Sequence, residues 1–231
     1  MQYAVPVAPV YSLEIAGSSE RFPVNRIFCV GRNYAAHARE MGRDPDREKP
    51  FFFMKPASAT VPAGAAEVTI PYPPKTANFH HEIELVAVIG KGGANISVEQ
   101  ALEHVYGYAV GLDMTRRDVQ LDARDKGRPW EFGKSFSKSA PIGPVHKASE
   151  CGHLAEAEIA LTVNGEPRQS SDISKLIWSV AESIAYLSEY ETLEPGDVIM
   201  TGTPEGVNAV VSGDVMRGSV AGLGEIVVRV A

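Results

Sequence analysis

The sequence predicts a β-rich α+β domain, and three observations carry the prediction. Short apolar runs closely bounded by glycine or proline recur along the chain, at Ile27–Val30, Phe51–Met54, Leu85–Ile89 and Val198–Met200. The C-terminal third alternates strand-like segments with turns and carries Asn164-Gly165, a hairpin signal. Helical periodicity is confined to short stretches, of which the longest runs over residues 174–190.

With 231 residues the chain can build one sizeable core. Residues 1–25 carry three prolines, a Gly17-Ser18-Ser19 turn and short apolar fragments, the composition of an arm, so the domain proper is expected over 26–231. An apolar content of 44% and a charged content of 22% are those of an ordinary globular protein. The net charge of −7 argues against a sequence-independent nucleic-acid binder, which needs a basic footprint. No basic segment precedes an N-terminal apolar run, and no stretch is long and apolar enough to span a membrane. The two cysteines, Cys29 and Cys151, stand in no metal or redox spacing, which suggests core thiols and a reducing, cytoplasmic setting.

In chain order, Ile27–Val30 reads as a buried strand stopped by Gly31, and residues 33–42 as a short helix with Asn33 as N-cap and Gly42 as its end. On that helix His37 and Glu40 stand three apart on one face. A carboxylate beside an imidazole fixes its tautomer and raises its basicity, as a water-activating base requires; a surface ion pair has the same spacing. The charged, proline-bounded residues 42–50 predict a mobile loop, which makes the helix a candidate lid. Phe51–Pro56 reads as a strand whose Lys55 either faces a site or caps the strand's end, and Ile70–Pro74 as a rigid extended connection.

The strongest chemical signal lies in residues 80–90. Glu82 and Glu84 are two apart, so on a strand both project from one face while Ile83 and Leu85 project from the other. Adjacent like charges need compensation, either from a divalent cation held by carboxylate oxygen or from water at an exposed edge strand. Residues 98–106 are helix-like, and 106–113 form a strand ending in Asp113, a third ligand or else a helix cap. On the polar helix expected over 115–127, Arg117 and Gln120 share a face and are placed to bind an anion, whereas Arg116, Asp122 and Arg124 read as solvated. Lys134 lies between a glycine and an aromatic in Gly133-Lys134-Ser135-Phe136, without phosphate-loop spacing. Near the end, 193–200 turns into a strand that stops at Thr201-Gly202-Thr203-Pro204, an ordinary turn or a place where backbone N–H groups meet a carboxylate. A final strand is expected over 222–230.

These stretches resemble the fumarylacetoacetate hydrolase family, in its short branch of acylpyruvases and fumarylpyruvate hydrolases. The matching segments are CVGRNYAAHAREMG, FFFMKPASA, HHEIELVAVIG, YAVGLDMTRRDVQ, GRPWEFGKSF, VNGEPRQ and EPGDVIMTGTPEGV, in consistent order from about Arg26 to the end. The resemblance implies a mixed β-sandwich roll with short helices, usually a homodimer. It also implies Mg²⁺ or Mn²⁺ on Glu82, Glu84 and Asp113, a His37/Glu40 dyad on a lid, and substrate contacts from Arg117, Gln120, Lys134 and Thr203. The implied substrate is a small anionic 2-oxo acid, with fumarylpyruvate from aromatic-acid breakdown the nearest match. Longer relatives carry an N-terminal domain with a further acidic ligand, for which residues 1–25 offer no equivalent, so water is expected to complete the coordination. Competing readings are an oxaloacetate decarboxylase or isomerase built on the same site, and a non-catalytic module that binds a cation structurally.

Overall fold

The computed structural model describes residues 2–40 and 48–231, without the side chains of Ala38 and Glu40. Its centre is an eight-stranded mixed sheet. Seven strands run in the order Phe51–Pro56, Arg26–Gly31, Val198–Met200, Ile83–Ile89, Val105–Leu112, Ala140–Ile142, Thr60–Pro62, and His146–Lys147 also pairs with Val105–Leu112. Ile83–Ile89 is therefore a central strand, bonded to Val198–Met200 on one side and Val105–Leu112 on the other. The exposed-edge alternative for Glu82 and Glu84 is excluded by this position.

Strand alternation divides the interior. Ile83, Leu85, Ala87 and Ile89 enter the larger core with Phe28, Val110 and Leu112. A five-stranded sheet, Glu166–Asp172, Glu158–Val163, Val215–Val220, Gly224–Val230 and Val68–Ile70, closes that core through Leu161, Met216, Ile226 and Val228. Val86 and Val88 enter a second core with Ile27, Cys29, Val198 and Met200. The arm covers it: Ser12–Glu14 and Arg21–Pro23 form a hairpin, and Leu13, Ile15, Phe22 and Val24 are buried there. A small third sheet, Thr115–Arg116, Phe79–His80 and Ala209–Val210, flanks the end of the central strand from which Glu82 and Glu84 project.

Several expected elements shift, each for a stated reason. The helix expected over 98–106 is one turn, Val98–Ala101, followed by a 3₁₀ turn at Leu102–His104, because Val105 and its successors pair with the central strand. Helix 115–127 shortens to Arg117–Asp125, since Thr115–Arg116 pairs with Phe79–His80. Helix 174–190 begins only at Val180 and ends at Ser188, started by a capping box between Ser179 and Glu182. Asn33 is not an N-cap: the helix is Ala35–Glu40, and the Asn33 side chain bonds elsewhere. Gly42 and most of the 42–50 loop lie outside the described residues. Phe51–Pro56 and the final strand form as expected, and Asn164 (φ 53) and Gly165 (φ 84) take the left-handed conformations of a tight hairpin. Cys29 is buried, but Cys151 is only half-buried, so one of the two thiols belongs to the core.

Candidate active site

Glu82, Glu84 and Asp113 are all buried, and one carboxylate oxygen from each lies within 4.8 Å of the others. Sheet pairing brings them together. Ile83 is opposite Leu112, and the Asp113 amide donates to the Glu82 carbonyl at 2.9 Å, so the strand's first residues and its neighbour's last converge. Asp113 caps no helix. The Gly202 amide donates to Glu84 Oε2 at 2.7 Å, which is the backbone contact that the Thr201–Pro204 turn makes possible. Gly202 sits at φ +100, and a Cβ there would meet the Asn33 Cβ at 2.7 Å, so only glycine fits.

Two lysines enter the cluster. Lys134 Nζ lies 2.7 Å from Glu82 Oε2, from Asp113 Oδ2 and from Thr115 Oγ1. Lys55 faces the site and does not cap its strand: its Nζ is 2.8 Å from Asp113 Oδ1, and it donates to Ser139 Oγ at 2.9 Å and to the Lys134 carbonyl. Arg117, at the start of its helix, donates to Glu82 and to Gln120, and all three are buried. His37 is buried and lines the same cleft, as do Thr203, Phe53 and Trp130. The Glu40 side chain, the other half of the expected dyad, lies outside the description. Arg124 lines the cleft mouth and is not simply solvated, while Asp122 is an exposed partner of Lys126 and Arg116 lies over the Phe136 ring at 4.3 Å.

Gln169 is a site residue that spacing does not reveal. Its Oε1 accepts from the Ile83 amide at 3.1 Å and faces His81 Nδ1 at 2.9 Å, while its Nε2 donates to Thr203 Oγ1 at 2.8 Å and to the Pro204 carbonyl at 2.9 Å. It ties the central strand to the Thr203 turn. The one sequence signal for it is its place as the last residue of the VNGEPRQ segment; in the structure it is buried on a strand, Glu166–Asp172, whose other polar residues are mostly exposed.

The charges are unevenly compensated. Burial opposes ionisation of Glu82, but Lys134 and Arg117 outweigh it and hold its carboxyl below the usual range. Burial pushes Glu84 well above that range, with repulsion from Asp113 and Glu82 adding to it and the Gly202 N–H opposing. For Lys134, burial is overcome by Asp113 and Glu82, which keep the ammonium charged. Burial, with Arg117 second, lowers His80 to about 4. Asp113 Oδ1, close to Lys55 in distance, has no aligned hydrogen bond. An all-oxygen donor set of three converging buried carboxylates, one of them destabilised by burial and by its acidic neighbours, fits a hard divalent cation such as Mg²⁺ or Mn²⁺.

A β-rich roll carrying this carboxylate cluster defines a class. The chain belongs to the fumarylacetoacetate hydrolase family: the family model described as fumarylacetoacetate (FAA) hydrolase C-terminal matches residues 26–231. Among particular proteins, it is similar to fumarylpyruvate hydrolase from Pseudomonas aeruginosa, whose crystal structure in complex with Mn²⁺ and pyruvate matches at TM-score 0.98 and 59% identity, covering 100% of this chain and 99% of that one. Fumarylpyruvate hydrolase from a Ralstonia species is 52% identical over 189 residues, 80% of this chain and 96% of the relative. A mitochondrial oxaloacetate tautomerase from Bos taurus is 42% identical over 197 residues, 85% of this chain and 87% of the relative.

Proposed function

We propose that this protein is a metal-dependent hydrolase that cleaves the C–C bond of a 2,4-dioxo acid, converting fumarylpyruvate to fumarate and pyruvate. The observation that carries this reading is the buried Glu82, Glu84, Asp113 cluster facing Arg117, Lys134 and His37 in one cleft. Similarity to two fumarylpyruvate hydrolases supports the choice of substrate. In this reading the three carboxylates hold Mg²⁺ or Mn²⁺. When bound, the ion supplies Lewis acidity toward the 2-oxo group.

The remaining roles fall to side chains. Arg117 and Gln120 orient the substrate's 2-oxo acid end, with Thr203 on the opposite chain segment. His37, oriented by Glu40, removes a proton from water as the water oxygen bonds to the distal carbonyl carbon. The C3–C4 bond then breaks, its electron pair leaves with the pyruvate fragment as an enolate, and a proton returned to C3 gives pyruvate. Lys134 offsets the negative charge that develops on that fragment. Decarboxylation of oxaloacetate fits less well, because it needs no attacking water and leaves His37 without a task.

The finer setting is part of the same proposal: a cytoplasmic homodimer, with residues 1–25 as an arm and 26–231 as the catalytic domain. Two free cysteines suit a reducing compartment, and exposed Phe132 and Met54 offer apolar surface for self-association. Among the described residues no helix is long and apolar enough to cross a membrane.

The test is a side-by-side assay of fumarylpyruvate, acetylpyruvate and oxaloacetate with Mg²⁺, before and after chelation. Metal-dependent hydrolysis, with fumarylpyruvate preferred, is the expected result. His37→Ala should lower hydrolysis by about 10²–10⁴-fold, with far less effect on any oxaloacetate decarboxylation. Full activity after exhaustive metal removal would refute the mechanism, and equal loss of both activities would assign His37 to closure or placement.

A further inference from the structure

Arg117, Gln120 and Arg124 stand at i, i+3 and i+7 of the Arg117–Asp125 helix and share one face. Exposure rises along it. Arg117 and Gln120 are buried, whereas the Arg124 side chain is 27% exposed. All three line the cleft that holds the carboxylate cluster, and Arg124 also lines an open groove that continues the cleft outward. Arg32, Phe53 and Trp130 are common to cleft and groove as well.

The cations at the deep end face the carboxylate cluster. Lys55, Lys134 and Arg117 each contact a carboxylate of the cluster. Arg124 instead pairs with its neighbour Asp125, whose side chain is 65% exposed. Such a surface pair contributes little and exchanges readily for a ligand carboxylate, to which a guanidinium offers a two-pronged donor. Between the two ends, Trp130 packs against Phe53 at 5.8 Å between ring centroids, tilted by 51°, which gives the passage one apolar side.

The dimensions match a diacid. Seven residues of helix rise about 10 Å from Arg117 to Arg124. The six bonds between the two carboxyl carbons of fumarylpyruvate span about 7 Å, and a hydrogen bond of about 3 Å at each end sets the two guanidinium groups about 13 Å apart, within reach of two long side chains that leave the helix about 10 Å apart. We propose that Arg124, with Arg32 at the same mouth, forms a subsite for the substrate's distal carboxylate, while the Phe53 and Trp130 rings line one side of the planar unsaturated segment. The subsite makes the enzyme selective for acylpyruvates that end in a carboxylate, and it rests on the hydrolase reading above.

The test compares wild type, Arg124→Gln and Arg124→Lys, all Mg²⁺-loaded, on fumarylpyruvate and on acetylpyruvate, which lacks the distal carboxylate. The ratio of kcat/KM for the two acids should fall by about 10–100-fold in Arg124→Gln and be partly restored in Arg124→Lys. Binding gives an independent readout. Calorimetric titration with the uncleavable diacid 2-oxoheptanedioate and the monoacid 2-oxoheptanoate should show a wild-type preference for the diacid that Arg124→Gln loses. An unchanged ratio and an unchanged diacid preference, in a wild type that cleaves fumarylpyruvate, overturn the subsite alone. A wild type that cleaves neither acid overturns the hydrolase reading and the subsite with it.

Discussion

Glu82 and Glu84 stand two residues apart and are displaced from the ordinary carboxylate range in opposite directions. Their effects on stability have opposite signs. Glu82, lowered in the fold by Lys134 and Arg117 against its burial, contributes stability that is present above the unfolded value and lost as pH falls through the folded one. Glu84, raised by burial and by its two acidic neighbours, contributes stability that is present below the unfolded value and lost as pH rises through the folded one. Metal-free protein should therefore lose thermal stability as pH rises through the window above the ordinary carboxylate range, because the fold resists ionising Glu84. A divalent cation selects the ionised form and should raise Tm most at the upper end of that window. Glu84→Gln should flatten the metal-free profile and abolish the Mg²⁺-induced rise in Tm. Thermal scans across pH, with chelator or with Mg²⁺, check this; identical profiles for wild type and Glu84→Gln would contradict it.

Loop and strand are joined in this site by buried side chains acting over long sequence separations. Asn33 Nδ2 donates to the carbonyls of Trp178 and Thr201, both at 2.8 Å, and Asn33 Oδ1 accepts from the Trp178 amide at 2.7 Å. One side chain thus fastens the entry to the His37 helix to the segment before Val180 and to the turn that presents Gly202 to Glu84. Asn33→Ala leaves those buried backbone groups without partners and should destabilise the protein by about 2–4 kcal/mol in denaturant unfolding, with a weakened metal response because Gly202 is no longer held. A loss below about 0.5 kcal/mol would show that water replaces the amide fully. The sequence could not disclose this. Capping rules look a few residues ahead, and Asn33 before an alanine-rich stretch satisfies them, but its partners lie 145 and 168 residues away. The same limit hid Gln169, and it lengthened the helices expected over 98–106 and 115–127, whose ends pair as strand. What was legible was local: the two-residue alternation that aims Glu82 and Glu84 together, the strand that delivers Asp113 just past its end, and the three-residue spacing of Arg117 and Gln120.

At the scale of the whole molecule, the family match begins at Arg26, yet the second core does not close without the arm. Leu13, Ile15, Phe22 and Val24 cover Ile27, Cys29, Val86, Val88, Val198 and Met200. Four buried apolar side chains at about 1.5–3 kcal/mol each amount to about 6–12 kcal/mol, which is comparable to the whole stability of a domain. Removal of residues 1–25 should accordingly give a chain that binds a hydrophobic dye and aggregates on gel filtration; a truncated chain with wild-type Tm would contradict the prediction. The β-rich class and the carboxylate cluster could be read from residue order. Lys55 and Arg124 could not be placed, because a lysine in an apolar strand and an arginine on a polar helix acquire their roles only from what the fold sets opposite them. The central strand carries one last implication, for descent. Its odd residues fill the larger core and its even residues supply Glu82, Glu84 and then the arm-side core, while both edges are bonded to neighbouring strands, with a shift of register only at Val88/Ile89. A substitution here alters one face at a time, but a single-residue insertion would turn Ile83 and Leu85 into the cleft and both carboxylates into oil. Lineages carrying this strand can remodel the chemistry by exchanging residues, and must take up every change of length somewhere else.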